Sequence, residues 1–318
     1  MGSTPLKPRV EVRRSWAVLL LAHGAPERLE DIPEYLRNVR GGRPLPEPAV
    51  QEIIRRYHLI GGSPLLAVTR QQAAALAACL GHPVYFGMRN WKPFIADTIR
   101  TMAADGVGRA VALCLAPQNS RTSIGRYKEH LFDAVEKHAP QMEVDFIESW
   151  HNHPLLIQAF LEKVAMARAR VGMETRASVP VVFTGHSVPE KTIQDGDPYA
   201  EQVRETARLV AEAMGLEEYR VAFQSQGMTA EAWIGPTVES EIDELAAQGH
   251  RHVLLAPVGF VADHVEILYD IDIHFREYGK GRGVTVHRSD SLNDSALFIK
   301  ALTEIVSGRV LAWASRNE

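Results

Sequence analysis

Twice in this chain of 318 residues a histidine directly follows a short apolar run: His23 in AVLLLAHGAP (Ala17–Pro26) and His186 in VPVVFTGHSVP (Val179–Pro189). The two lie 163 residues apart, and each is followed three positions later by proline, Pro26 and Pro189. Imidazole titrates near neutrality, so either ring could move protons or ligate a metal. A lone histidine after a strand is ordinarily a satisfied structural residue; the repetition argues against that here. The densest further cluster is Pro257–Glu277, PVGFVADHVEILYDIDIHFRE. Its Asp263, Glu266, Asp270 and His274 are spaced by three, four and four, which predicts a helix carrying all four along one side. Such a stripe can be a solvent-washed acidic face. Val265, Ile267, Leu268, Ile271, Ile273 and Phe275 around it favour a site instead. Apolar surroundings raise carboxyl pKa values toward those of a general base, and histidine with carboxylates can bind a divalent cation or move protons.

Such residues need elements to position them. Short runs rich in Val, Leu and Phe predict strands at Ala17–Ala22, Val84–Gly87, Ala110–Ala116, Val144–Ile147, Pro180–Thr184, Tyr219–Gln224, His252–Pro257 and Gly283–His287. Helical stretches alternate with them, among them Pro93–Ala104, Tyr127–Lys137, Leu155–Arg170, Pro198–Met214 and Pro236–Ala247. That alternation calls for an α/β fold with parallel sheets. A second echo supports duplication: Pro93, Ile99, Met102, Ala103, Ala104 and Gly106 recur 143 residues later as Pro236, Ile242, Leu245, Ala246, Ala247 and Gly249. Proline is expected in the first turn of both helices and glycine at their ends. Two similar Rossmann-like domains follow, 12–148 plus 295–318 and 149–294. Ligands of such sheets gather beyond the carboxyl ends of the strands, so facing copies would direct both histidines into one central cleft. Between histidine and proline the first copy is about twenty residues longer, with the extra chain placed around Arg40–Pro48. Arg37, Arg40, Arg43, Arg55 and Arg56 make it either an arm that clamps carboxylates or a solvated loop.

Composition narrows the field. Hydrophobic residues at 46% and charged residues at 23% are globular values, and a net charge of −4 argues against a nucleic-acid surface. Cys79 and Cys114, the only cysteines, are expected as buried core thiols and cannot supply the four thiolates of an iron–sulfur cluster. No run reaches the length of a membrane span, and the apolar stretch after the charged N-terminus is too short for a secretion signal. A cytoplasmic protein with no stable membrane insertion is expected.

An ordered set of motifs resembles the ferrochelatase family over Val18–Leu311: SPL at Ser63–Leu65, GMR at Gly87–Arg89 with Pro93, the pair Ala116–Pro117, GHSVPEK at Gly185–Lys191, GDPY at Gly196–Tyr199, WIGP at Trp233–Pro236 and PVGFVADHVEILYDID at Pro257–Asp272. The resemblance implies two chelatase-type domains around a cleft that holds a porphyrin and inserts ferrous iron, with haem as product. The length and the RRYHLIGGSPL segment, Arg55–Leu65, are similar to the soluble bacterial coproporphyrin III enzymes. By the same resemblance His186 and Glu266 are the metal-handling and proton-accepting pair, and Asp270 and His274 extend the metal route. Arg40, Arg56, Tyr57, Ser63 and Tyr127 match positions that contact the porphyrin or its propionates. His23 stands where those enzymes commonly place a tyrosine that ligates the product iron, and His274 where an acidic residue is frequent. No tightly bound cofactor is expected, Fe2+ being substrate, with a regulatory divalent metal as a further candidate and a monomer as the form. Alternatives are a protoporphyrin IX enzyme, a chelatase for an earlier tetrapyrrole, and a haem-binding carrier without insertion activity.

Overall fold

All eight expected strands form, and they divide into two sheets of the same design. In the computed structural model, which describes residues 15–175, 179–227 and 231–314, β1 (Ser15–Ala22), β2 (Val84–Met88), β3 (Val107–Cys114) and β4 (Glu143–Ile147) make one parallel sheet in the order β2-β1-β3-β4. The second contains β5 (Val181–His186), β6 (Arg220–Gln224), β7 (His252–Pro257) and β8 (Thr285–Arg288), parallel in the order β6-β5-β7-β8. The orders coincide when β1 is matched to β5, as duplication requires. Residues 12–14 and 315–318 of the first expected domain lie outside the described residues.

Burial on both faces explains why the strands read as unbroken apolar runs. Val18 and Leu20 of β1 point into one cluster, and Ala17, Leu19 and Leu21 into another. In the second sheet Val181 and Phe183 alternate with Val182, and Leu254 and Ala256 with Val253 and Leu255. The cluster that holds Val18, Val111, Phe183 and Leu254 is continuous between the lobes, through α6 (Pro154–Thr175) and α12 (Ala296–Ala314). Helix α12 packs on both α6 and α3 (Leu65–Leu80).

Helices α4 (Ile95–Ala104) and α9 (Val238–Ala247) correct the expected role of the prolines. Pro93 and Pro236 stand two residues before these helices, each after a cis peptide bond. Their carbonyls instead accept from the ends of the preceding strands, from Met88 N at 2.7 Å and Phe223 N at 2.8 Å. Gly106 and Gly249 do end the helices. A second correction concerns Cys79: Cys114 is buried, but Cys79 is exposed on α3, whose inward stripe is taken by Ala73 and Leu76.

The stretch placed around Arg40–Pro48 is largely an exposed loop, and it joins two helices, α1 (Ile32–Val39) and α2 (Glu47–Leu59). Ile32, Tyr35 and Leu36 of α1 meet Val50 and Tyr57 of α2 and Trp91, with Val265 of the second lobe packed against them. The arm thus reaches across to the other copy. Arg55 donates to the Tyr269 hydroxyl at 2.6 Å, and the Arg56 guanidinium lies 4.8 Å from the Tyr269 ring centroid. On the opposite side α5 (Ile124–His138) covers the first sheet, while α7 (Glu190–Gln194) and α8 (Tyr199–Met214) follow β5. No helix among the described residues is long and apolar enough to cross a membrane.

Candidate active site

His186 is the last residue of β5, and His23 follows the last residue of β1, so both sit at carboxyl ends of their strands. The chain after β7 then crosses the end of β5 at very short range. A side chain at Gly259 would put its Cβ 2.6 Å from Gly185 Cα, and Gly259 N bonds to Thr184 O at 3.0 Å. Only glycine permits that crossing. It lays His264 and the short α10 (Val265–Leu268) beside His186.

Glu266 on α10 lies between two imidazoles. Its Oε1 is 3.5 Å from His186 Nε2, and its Oε2 is 3.4 Å from His264 Nε2. In both rings Nδ1 faces a backbone carbonyl, that of Ser187 for His186 and that of Ala262, at 2.9 Å, for His264. Those carbonyls fix the proton on Nδ1 and leave Nε2 toward the carboxylate. Two bare lone pairs cannot both face a carboxylate, so protonation there is favoured. Burial pushes both imidazole pKa values down, yet Glu266 outweighs it and raises them. Burial likewise works to raise the Glu266 carboxyl, but the two histidines hold it well below the usual range. Gln224 fixes α10 from behind, donating to Glu266 O at 2.8 Å while its own Oε1 accepts from Thr184 at 2.8 Å.

Beyond α10 the chain widens into a π-helix, Asp270–Phe275, followed by α11 (Arg276–Lys280). This overturns the single acidic stripe. Asp263 precedes the helical part and faces away: Arg288 (3.3 Å), Ser291 (2.7 Å) and Asn293 (2.9 Å) bind its carboxylate. Asp270 continues from Glu266, bonded by the Ser225 hydroxyl and 3.8 Å from Arg56. Burial, with Glu266 adding to it, raises Asp270 to about 6 against the pull of Ser225. His274, half exposed, pairs with Glu239 at 3.1 Å. Of the four residues expected to handle metal, His186 and Glu266 pair directly, and Asp270 and His274 lie further along the chain after α10. No group of three or more His, Cys, Asp or Glu side chains among the described residues is arranged around one metal position.

On the first lobe Gly24 turns the chain directly after His23, with φ +86 and no room for a Cβ, which would come within 2.9 Å of Trp91 N. His23 stays accessible to the gap although protein encloses it. That enclosure, then Arg89, pushes its pKa far down, and Glu266, His264 and His186 act on it as well. The two histidines of the duplicated frame are therefore near enough to act on each other electrostatically. Tyr127 is buried beneath the Arg89 guanidinium, 4.9 Å from its ring centroid. Tyr57 is buried, its hydroxyl close to that of Tyr35. Ser63 is buried at the start of α3, where its hydroxyl accepts from Leu65 N at 3.4 Å. Arg56 is held by Glu52 at 2.9 Å, while Arg40 caps α1, its guanidinium in no ion pair among the described residues.

Whole-chain comparison agrees with this geometry. The ferrochelatase family profile matches residues 15–310. The chain belongs to the ferrochelatase family. A ferrochelatase of Acidobacterium capsulatum is 48% identical over 305 residues, covering 91% of this chain and 93% of that one. A coproporphyrin III ferrochelatase of Geobacillus thermodenitrificans is 36% identical, covering 96% and 99%. In fold the chain is similar to SirB from Bacillus subtilis with Fe3+, at TM-score 0.57 and 13% identity over 92% of this chain and 94% of that one. It is similar also to CbiX, described as the terminal enzyme for biosynthesis of siroheme in denitrifying bacteria, at TM-score 0.51 and 13% identity over 92% and 98%. As a ferrochelatase it is a lyase that inserts metal into a porphyrin. His264, Ser225 and Gln224 were not singled out by spacing. The one signal for Ser225 is conformational: its φ of 61 is rare for a residue with a Cβ, and such strain gathers at sites.

Proposed function

We propose that the gap between the lobes takes coproporphyrin III and that His186, Glu266 and His264 receive the pyrrole protons as ferrous iron enters. The carboxylate between two imidazoles, both with Nε2 turned to it, carries this reading. Inserting Fe2+ releases two N–H protons, and a flat macrocycle hides its lone pairs from an ion approaching one face. A rigid cleft that favours a bent ring lowers that barrier. The three groups titrate as one unit, so each imidazole takes a pyrrole proton as it passes its own outward. Asp270, at about 6, exchanges its proton near neutral pH and offers the way out. Iron is substrate here, and the row His186, Glu266, Asp270, His274 is its route.

Two things support the tetracarboxylate substrate: the relatives named coproporphyrin III ferrochelatase match nearly end to end, and Arg37, Arg40 and Arg43 carry no ion pair among the described residues. Guanidinium forks outside ion pairs suit propionates, with Arg43 released from the Arg40 carbonyl and Arg56 from Glu52 to join them. His23, Tyr57, Ser63 and Tyr127 would line the ring. The relative of Acidobacterium capsulatum, named only ferrochelatase, keeps protoporphyrin IX as the second reading. Absorbance of purified protein with Fe2+ and each porphyrin decides between them. A higher kcat/KM with coproporphyrin III is expected, and His186→Ala should bind the porphyrin while losing about 10²-fold or more in rate. Turnover of protoporphyrin IX alone refutes the substrate; binding of haem with no insertion of either supports a carrier.

A further inference from the structure

His23 and His186 hold matching places in the duplicated frame, yet their rings are partnered in opposite senses. His186 and His264 turn Nδ1 to a backbone carbonyl and Nε2 to the Glu266 carboxylate. His23, itself exposed, instead has side-chain groups beside its nitrogens. The Tyr35 hydroxyl is 3.0 Å from Nε2, and the Asn90 amide nitrogen is 3.2 Å from Nε2 and 3.3 Å from Nδ1. Tyr35 is buried, its ring edge-on to Trp91 with centroids 6.3 Å apart. Both contacts depend on the arm that the second copy lacks: Tyr35 belongs to α1, and Asn38 of the same helix donates to Asn90 O at 3.3 Å.

We propose that Tyr35 and Asn90 hold His23 as a non-coordinating wall of the cleft, so that the iron porphyrin made there is not retained through an imidazole–iron bond. The inference rests on reading the gap as a porphyrin-metallation site. Across that gap from the proton-accepting unit, an uncommitted His23 nitrogen would face the metal of the finished product, and imidazole is a strong axial ligand for porphyrin iron. Tyr35 acts through His23 and is a positioning residue.

The test takes the full chain as wild type, Tyr35→Phe, His23→Ala and the double variant. Each is mixed with iron(III) coproporphyrin III and with iron(III) protoporphyrin IX and followed by absorption, resonance Raman scattering and dissociation rate. Tyr35→Phe should convert the bound iron to an imidazole-ligated spectrum and slow its release about tenfold, the order expected when one competing hydrogen bond is removed. Adding His23→Ala should restore the wild-type spectrum and rate. A wild-type spectrum that changes on His23→Ala overturns the proposal, as does a Tyr35→Phe variant with wild-type spectrum and release. Should Tyr35→Phe fold poorly, the comparison of wild type with His23→Ala decides alone. Failure of the wild type to bind either metal-free porphyrin would refute the functional reading itself.

Discussion

Asp270 gives the sharpest quantitative handle, because the structure buries a carboxylate with too few partners to keep it ionised. Its side chain is 12% exposed, its pKa is raised from 3.8 to about 6, and its nearest cation, Arg56, is 3.8 Å away. A group that binds its proton more tightly in the folded state favours folding below its unfolded pKa and loses that contribution as pH rises through the folded one. At 1.36 kcal/mol per unit, the full difference is about 3 kcal/mol. Asp270→Asn removes the titration, keeps an oxygen that can accept from Ser225, and leaves all other groups in common. The stability of the variant minus that of the wild type should therefore grow with pH, by about 2 kcal/mol between pH 4.5 and 7.5, where most of the transition falls. Urea unfolding at several pH values in that interval measures it. A difference that is flat, or that shrinks as pH rises, refutes the assignment of Asp270 as a carboxyl raised by burial. If Asp270 also passes protons outward, the variant trades rate for stability: insertion should fall while the fold gains, and its acid limb near pH 6 should flatten.

Three further outcomes follow from contacts described above. Glu266→Gln removes the charge that raises His186 and His264, so both imidazoles should titrate at lower pH, visible as shifted histidine C–H resonances in NMR, and insertion should drop by about 10² or more. Gly259→Ala places a methyl 2.6 Å from Gly185 Cα, backbone against backbone; a loss of about 1–3 kcal/mol in denaturant unfolding and a larger proportional loss of turnover are expected. Arg288→Met leaves Asp263 and Asp272 without the guanidinium 3.3 and 2.9 Å from them, and should lower stability by about 3 kcal/mol in denaturant unfolding at pH 7.

The doubly wound fold was legible because strands buried on both faces must read as continuous apolar runs, and because the histidine and the helix-ending glycine each recur in the second half. The pairing of His186 with Glu266 was legible too, through the motifs that surround them. What periodicity missed has local causes. Spacings of three and four look the same whether the segment stays α-helical or widens into a π-helix, and here it widens after Leu268. Asp263 looked like part of the stripe but is bound by Arg288, Ser291 and Asn293, all more than twenty positions away. The prolines matched a first-turn preference, while a strand end needing an acceptor placed them elsewhere. His264 stood in plain view within the motif, but a residue just before a helix has no periodicity to announce it.

The same strand order has been put to unlike uses, and the segments after β3 and β7 show how. After β7 the chain crosses Gly185 at Gly259 and delivers His264 and Glu266 to the gap. After β3 the matching segment turns its polar groups to the other lobe. Gln118 donates to Thr206 Oγ1 at 3.1 Å and to Val258 O at 3.0 Å, Asn119 N to Gln202 at 2.6 Å, and Ser120 and Arg121 N to the buried Asp197 at 3.1 and 2.7 Å. Buried polar seams of this kind hold two bodies in one register, since separating them strands several groups without partners. One copy thus supplies the His186–Glu266–His264 unit, while the other supplies the polar seam and the arm. A cleft of fixed width can favour a bent macrocycle over a flat one; a cleft that widened freely would accept both shapes and lose that preference.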